Sequence, residues 1–481
     1  MTGMNENPLD LLPEVLLAAS AVLGLLLGAW LPRRRQWLIG AMAGAACIGG
    51  IVAAAIAAAG PVETAFGAAF AIDPLTATSR IVILGGTLLV LALAMPCLYA
   101  DPRETEFYVL LQLAATGALV LAGAQDLLLL AVGYLLLLAV GYLLASVPAY
   151  ALAGFRKDGP GTEAALKFYV VGALLGVLML AGITVLLAAG RATAYPMLRS
   201  EFAEAPAGLV AVGTLALLAG LLFKAGGVPG HFWVPDAIQG SSAPVAAFLT
   251  TIPKVGALAA LYRLAAVPLA DADLPWADLV AVLSVASMTL GNLAAFFQQD
   301  VKRLLAYSTI SQVGYLLLPV AVAGRTDLDQ EALLYYLSGY ALTNLGAFAV
   351  VCALAEAHTI DDYRGLARTH PALPASLAVS LLGLVGTPPT AVFLGKLEAF
   401  SAAFDGGYAW LAVVAAVNTV ASLFYYLRWI APAFLARAPA GESRTTSRTA
   451  AVIAYGAATG SVVLGLLGGI VLDVLGGPLA P

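Results

Sequence analysis

The chain has 481 residues, of which 61% are hydrophobic and 11% charged, and its formal net charge is −5. Soluble proteins carry about 45–50% apolar and about 25% charged residues, so a mean hydropathy of +0.94 over the whole length excludes a soluble domain as the main body and makes lipid the solvent. No basic block exceeds Arg33-Arg34-Arg35, which argues against nucleic acid as a partner.

A helix needs about 20 apolar residues to cross the hydrocarbon core, and the sequence offers fourteen such runs. In chain order they cover residues 9–31, 36–58, 72–98, 105–123, 126–151, 163–189, 207–235, 243–268, 276–298, 302–323, 330–357, 374–403, 408–435 and 449–474. The apolar pattern is continuous rather than alternating, so these are helices and not barrel strands. Met1 to Pro8 holds no positive segment ahead of the first run, so that run reads as a retained span rather than a cleaved leader. With the N-terminus outward, thirteen Lys and Arg fall in the cytoplasmic loops, among them Arg103, Arg156, Lys302, Arg303, Arg437, Arg444 and Arg448. Only Arg191, Arg199, Arg263 and Arg325 fall in the opposite loops. That bias places both termini on the extracytoplasmic side of the cell inner membrane.

Two runs contain helix breakers near mid-membrane. The seventh carries Lys224-Ala-Gly-Gly-Val-Pro-Gly-His231 and the twelfth Gly386-Thr-Pro-Pro-Thr390, so both helices are expected to be interrupted. Breaks five spans apart, each beside a lysine, suggest two related halves of one membrane domain, with Lys224 matched to Lys396. The divisions are an N-terminal segment (1–104), a first repeat (105–268), a second repeat (276–435) and a last helix (449–474).

Cys47, Cys97 and Cys352 lie far apart with no C-x-x-C pair, and His231, His358 and His370 are scattered. Neither set forms a ligand pattern for a metal or cluster, so no redox centre or metal is expected in this chain.

Six basic residues lie in or near the apolar runs: Arg80, Lys167, Lys224, Lys254, Lys396 and Arg428. Snorkelling to the interface suits Arg428 and Arg80. Lys167, about a turn from its loop, fits snorkelling and function equally. Lys254 follows Ser242 by twelve residues, roughly 18 Å of helix, which sets it at half the membrane depth. With Lys224 and Lys396 it forms a set of mid-membrane amines, and such residues are paired, hydrated or functional. Burial favours a neutral amine and a nearby carboxylate or water restores the charge, so a row of lysines can pass protons where arginine cannot. Among the acids, Asp73 and Asp126 read as helix N-caps. Glu398, two residues from Lys396, points to another helix face. The Gln298–Arg303 and Asp361–Gly365 segments read as solvated caps and interfacial anchors.

The stretch FKAGGVPGHFWVPDAIQGSSAPVAAFLTTIPKVGALAALYR (Phe223 to Arg263) resembles the central signature of the antiporter-like proton-channel subunits of respiratory complexes. NLAAFFQQDVKRLLAYSTISQVGYLL (Asn292 to Leu317) resembles their ninth-to-tenth-span junction. DDYRGLARTHP (Asp361 to Pro371) and GTPPTAVFLGKLEAF (Gly386 to Phe400) are similar to subunit N of bacterial NADH-quinone oxidoreductases, over roughly residues 70 to 430 in all. The resemblance implies an all-α bundle of about fourteen transmembrane helices with two inverted five-helix repeats. It implies proton-relay roles for Lys167 (sixth span), Lys224 (seventh), Lys254 (eighth) and Lys396 (twelfth). It implies no cofactor here, with FMN, iron–sulfur clusters and quinone in partner subunits of the membrane-bound complex. The family's fifth-span glutamate is missing: Ser146-Val-Pro148 is present, the acid's place falls at Leu143, and no acid occurs from Leu127 to Arg156. Two other functions follow from that gap and from the shared signature, a pump-deficient structural paralogue of the same complex and a subunit of a multi-subunit sodium/proton antiporter.

Overall fold

The computed structural model of the chain describes residues 7–99, 101–127, 141–435 and 446–480. Arg437 and Arg444 lie outside the described residues, as does most of the first half of the expected fifth span. The described chain is almost wholly helical: α1 (Leu12–Trp30), α2 (Trp37–Ala58), α3 (Pro74–Leu98), α4 (Glu104–Gly123), α5 (Gly141–Ala153), α6 (Gly159–Gly190), α7 (Tyr195–Glu204), α8 (Ala207–Ala225), α9 (Trp233–Gly240), α10 (Ala243–Ala266), α11 (Trp276–Ala295), α12 (Val301–Ala321), α13 (Asp329–Ala353), α14 (Leu366–Thr369), α15 (Ala372–Val385), α16 (Ala391–Asp405), α17 (Ala409–Leu435), α18 (Arg448–Leu466) and α19 (Gly468–Leu475). Among the described residues, twelve helical segments are long and apolar enough to cross a membrane. α5 and α15 are shorter apolar helices, and α16 follows α15 across its break. The last span, expected over 449–474, bends at Leu467 between α18 and α19.

Lipid offers backbone groups no hydrogen bonds, so each pass must satisfy its own. The ends are closed by side chains: Asp73, Asp158, Asp300 and Ser447 each accept a backbone N–H in the first turn of α3, α6, α12 and α18. α10 is the axis of the bundle. Every residue from Pro244 to Ala265 is buried, against α3, α4 and α13 among others. α6 is peripheral, and Leu166, Leu174 and Val177 project outward from it. Small residues let helices approach: a Cβ at Gly182 of α6 would stand 2.6 Å from the Gly213 carbonyl oxygen of α8, the close packing that apolar surroundings favour. The described sheet is a small hairpin, β1 (Glu63–Ala65) and β2 (Phe70–Ile72), antiparallel ahead of α3.

The seventh and twelfth spans are broken where the sequence predicts, and in the same way. α8 ends at Ala225; Gly226 N–H donates to the Phe223 carbonyl and Gly227 N–H to the Leu222 carbonyl. α15 ends at Val385; Gly386 N–H donates to the Gly383 carbonyl and Thr387 N–H to the Leu382 carbonyl. Each is a Schellman closure, with a left-handed residue after the cap. Gly226 has φ +76° and Gly386 has φ +92°, a region where a side chain is costly. The expected seventh span (207–235) therefore stops ten residues early and resumes as the short α9.

Two arginines are placed differently from the sequence expectation. Arg263, assigned to a loop, lies within α10, fully buried, and donates to both oxygens of Asp73 at 2.6 and 2.9 Å. Arg80, assigned to snorkelling, is buried against Glu14 of α1 through two bonds of 2.8 Å. The reason is common to both: a partner acid distant in sequence forms a bidentate pair, which removes the need to reach water. Arg428, within α17, donates to the Phe296 and Gln298 carbonyls. Asp73 also accepts the Ala480 backbone N–H at 3.0 Å, and Gln125 donates to the Ala480 carbonyl at 3.2 Å, so the 476–480 segment is tied across the ends of α3 and α4.

Two outcomes follow. Removing one member of a buried ion pair strands the other and costs about 3–5 kcal/mol, so Arg263→Met should lower the melting temperature of the detergent-purified protein sharply, and Asp73→Asn should do the same. A residue other than glycine in the left-handed region costs about 1–2 kcal/mol, and a Cβ at Gly386 would also meet Lys396 Cδ at 3.0 Å. Gly386→Ala should thus destabilise by a smaller, measurable amount in the same thermal assay.

Candidate functional site

The three mid-membrane lysines of the sequence are all buried, and each amine is held by a neutral acceptor. Lys254, eleven residues into α10 and so roughly 17 Å along it, donates to the Ala225 carbonyl at 2.6 Å. Lys396, in the second turn of α16, donates to the Val385 carbonyl at 2.9 Å. These carbonyls belong to the last residues of α8 and α15. The Schellman closures occupy the carbonyls two and three residues earlier, and the lysines take the terminal ones at the negative end of each half-helix. Each amine also faces an aromatic ring: Lys254 Nζ lies 5.9 Å from the Trp233 ring centre and Lys396 Nζ 3.8 Å from that of Tyr315, favourable positions for a cation.

By their bonding the lysines group differently from the positional pairing of Lys224 with Lys396. Lys224 precedes its break and Lys396 follows its own, whereas Lys254 and Lys396 make the same bond to the same kind of carbonyl. Lys224, in the last turn of α8, instead donates to Ser146 Oγ of α5 at 2.5 Å. Leu143, where the family's acid is expected, is 40% exposed on α5.

Lys167 stands apart from the buried three. Its side chain is 47% exposed and its amine lies 2.7 Å from Glu163 and 2.9 Å from Asp236. It borders a half-open recess of about 410 Å³ on the face that carries Arg156, Lys302 and Arg303. On the far side of that recess Arg303 Nη1 donates to Asp236 Oδ1 at 2.7 Å and to Gln239 Oε1 at 2.9 Å. Lys302, expected as a solvated anchor, is instead buried and donates to the Gln239 and Ser241 carbonyls at 2.6 and 2.7 Å. It closes the C-terminal end of α9, whose carbonyls have no helical partner.

Beside the buried amine of Lys254 lies an aromatic cluster. Phe168 of α6 stacks on Trp233 of α9 at 3.9 Å, and the Trp233 indole N–H donates to the Phe223 carbonyl at 2.9 Å. The second half of the bundle adds a buried chain of neutral polar groups. Lys396 reaches Thr419 at 3.4 Å, Thr419 donates to Tyr315 at 3.2 Å, and Asn292 accepts from Ser311 and Tyr425 at 2.9 and 3.1 Å. Sequence reading missed Asp236, Arg303 and this polar chain as parts of one site. The lone signal it offered was their polarity inside or beside apolar runs, because the partners lie on other helices, more than sixty residues away in the case of Asp236 with Lys167 and Arg303.

Comparison with known proteins follows the same lines. Residues 132–422 match the family described as NADH:quinone oxidoreductase/Mrp antiporter, transmembrane. The chain is 53% identical over 475 residues to NADH-quinone oxidoreductase subunit N 1 of Streptomyces griseus subsp. griseus, covering 98% of this chain and 99% of that one. It is 51% identical over 471 residues to NADH-quinone oxidoreductase subunit N of Mycobacterium sp. (strain JLS), covering 98% of each. Among solved structures it is similar to a chain of respiratory complex I from Thermus thermophilus with bound aureothin, with a TM-score of 0.82, 33% identity, and 97% and 100% of the two chains covered. A chain of the Mrp complex from Dietzia sp. DQ12-45-1b shares the fold at a TM-score of 0.82 but only 22% identity. Sequence shared over nearly the whole length, and not the fold alone, shows that the chain belongs to the NADH-quinone oxidoreductase subunit N family, within the wider group that includes the Mrp antiporter subunits.

Proposed function

We propose that the chain is a membrane-arm subunit of an NADH-quinone oxidoreductase and carries a lysine-based proton path coupled to quinone reduction in partner subunits. The observation that carries this reading is the set of buried amines, Lys224, Lys254 and Lys396, two of them seated on carbonyls released by helix breaks. Lysine takes up and gives back a proton as its surroundings change, which arginine does not. Lys167, beside two carboxylates in the recess, would supply the path from the basic face. By its arginines that face is the cytoplasmic one, with both termini on the other side of the cell inner membrane. FMN, iron–sulfur clusters and quinone belong to the partners in this reading, and the chain contributes translocation without a redox centre of its own. The domain reading is kept with it: residues 105–268 and 276–435 as inverted repeats after an N-terminal segment, each with one broken helix.

A second reading has a specific observation behind it. The sequence from Leu127 to Tyr142 is the eight-residue segment LLLLAVGY written twice, and it continues without an acid to Phe155. A subunit altered in this way could keep the fold for assembly and no longer pump. A sodium/proton antiporter subunit is the third reading, and it would exchange ions without NADH.

The deciding measurement is NADH-driven proton uptake in inverted membrane vesicles carrying the unaltered chain or Lys254→Met, with complex assembly and quinone reductase rate scored alongside. The relay reading expects Lys254→Met to assemble and lose proton uptake or coupled turnover. Unchanged uptake in an assembled complex contradicts it and favours the structural reading. Sodium-dependent exchange without NADH favours the antiporter.

A further inference from the structure

Lys396 opens onto a seam of hydroxyl groups between α11, α12 and α17. Thr419 accepts from the amine at 3.4 Å and donates to Tyr315 at 3.2 Å, and the Tyr315 hydroxyl is within hydrogen-bond reach of Ser311 and Asn292. All three of these residues are buried. Beyond Asn292 the hydroxyls resume: Tyr425 donates to it at 3.1 Å, Tyr425 bonds Tyr426, and Tyr426 bonds Ser308. Asn292 lies three residues before the end of α11, the end that leads through Phe296 to Arg303 on the basic face. The orientation of its amide is fixed by its neighbours. The Asn418 backbone carbonyl, 2.9 Å away, can only accept, so the group facing it is the NH2. Nδ2 donates as well to Asn418 Oδ1 at 3.0 Å. Oδ1 is thereby turned to the hydroxyls and receives Ser311 at 2.9 Å and Tyr425 at 3.1 Å.

A hydroxyl relays a proton because it accepts one while giving up another, whereas an amide oxygen only accepts and its NH2 only donates. A proton leaving the Lys396 ammonium through Thr419 and Tyr315 would leave a neutral amine behind and an O-protonated amide ahead. It could go further only if Nδ2 gave up an N–H proton to Asn418, itself an amide. The side crossing from this cluster to Tyr426 is Gln312, again an amide, with Oε1 receiving Tyr336 at 2.7 Å and Nε2 donating to the Leu384 carbonyl at 2.8 Å. From this geometry, and resting on the proton-path reading above, we propose that Asn292 is a positioning residue that stops protons. It holds the hydroxyls of the second repeat in a chain with a dead end, so Lys396 does not exchange protons with the basic face along α11, α12 and α17. Protons reach Lys396 by way of the other buried amines, and the gradient does not run back through the second repeat. The seam is closed on the same side by packing: Phe296 lies edge-on to Tyr425 at 5.8 Å, and its carbonyl receives Arg428.

The test puts a group of the same shape that does relay in the amide's place. Asn292→Asp supplies a carboxyl, and Asn292→Leu removes the hydrogen bonds without adding a relay. Intact complexes in proteoliposomes with quinone are read for proton uptake per NADH oxidised and, without NADH, for the decay of an imposed pH gradient. Asn292→Asp is expected to lower uptake per NADH and to speed the decay several-fold. Asn292→Leu is expected to decay at the unaltered rate, and adding Lys396→Met to Asn292→Asp to restore that rate. Unaltered decay in Asn292→Asp overturns the proposal if Lys254→Met loses uptake in the same preparation. A fast decay that Asn292→Leu shows equally, or that persists in the double variant, overturns it too, because loosened packing then accounts for the leak. A silent Lys254→Met instead removes the reading on which it rests. Should Asn292→Asp fail to assemble, Asn292→Ser, which supplies a hydroxyl, takes its place with the same expectations.

Discussion

The structure turns on one constraint: a helix that stops inside a membrane leaves carbonyl oxygens that water does not reach, and something must be brought to them. At both breaks of this chain the first two of those oxygens are satisfied by the backbone, through Leu222 and Phe223 in one case and Leu382 and Gly383 in the other. The last is met by a lysine amine, Lys254 on the Ala225 carbonyl and Lys396 on that of Val385. The half-helix ends carry about half a negative charge, so the same oxygen that needs a donor also favours a cation. An interruption that would otherwise be a defect becomes a seat for a titratable group.

Where other charges enter the bundle, the solution differs. Asp73 with Arg263 and Glu14 with Arg80 are buried bidentate pairs, far apart in sequence. Arginine is suited to such fixed pairs by its planar fork and permanent charge. The chain thus separates two uses of basic residues: arginines in closed pairs that fix α1, α3 and α10 to one another, and lysines on neutral acceptors where the charge is free to change. The recess at Lys167 and Asp236 is a third kind of place, where charges are paired but wet.

Much of this was legible beforehand. The fourteen apolar runs, the interruptions at Gly226 and Gly386 and the depth of Lys254 follow from length, glycine and proline alone, because a membrane pass has few ways to be built. The N-cap at Asp73 was legible for the same local reason. What was not legible depends on contacts between distant segments: a composition cannot tell that Arg80 meets Glu14, sixty-six residues away, or that Arg263 is sealed by Asp73. Nor does position along a helix reveal which lysine shares its environment with Lys396. Lys224 sits beside a break in the sequence, yet it is Lys254, from the next helix, that reaches the carbonyl.

The account stands on the claim that the carbonyl-held lysines act by losing and regaining protons rather than as permanent counter-charges for the helix ends. Replacing Lys396 by arginine separates these, since arginine keeps the charge and the donor but not the ability to release a proton. The measurement is NADH-driven proton uptake in vesicles containing an assembled Lys396→Arg complex. The account predicts uptake per NADH as low as that of Lys396→Met. Uptake at the level of the unaltered chain would contradict it and leave the lysine a structural cap.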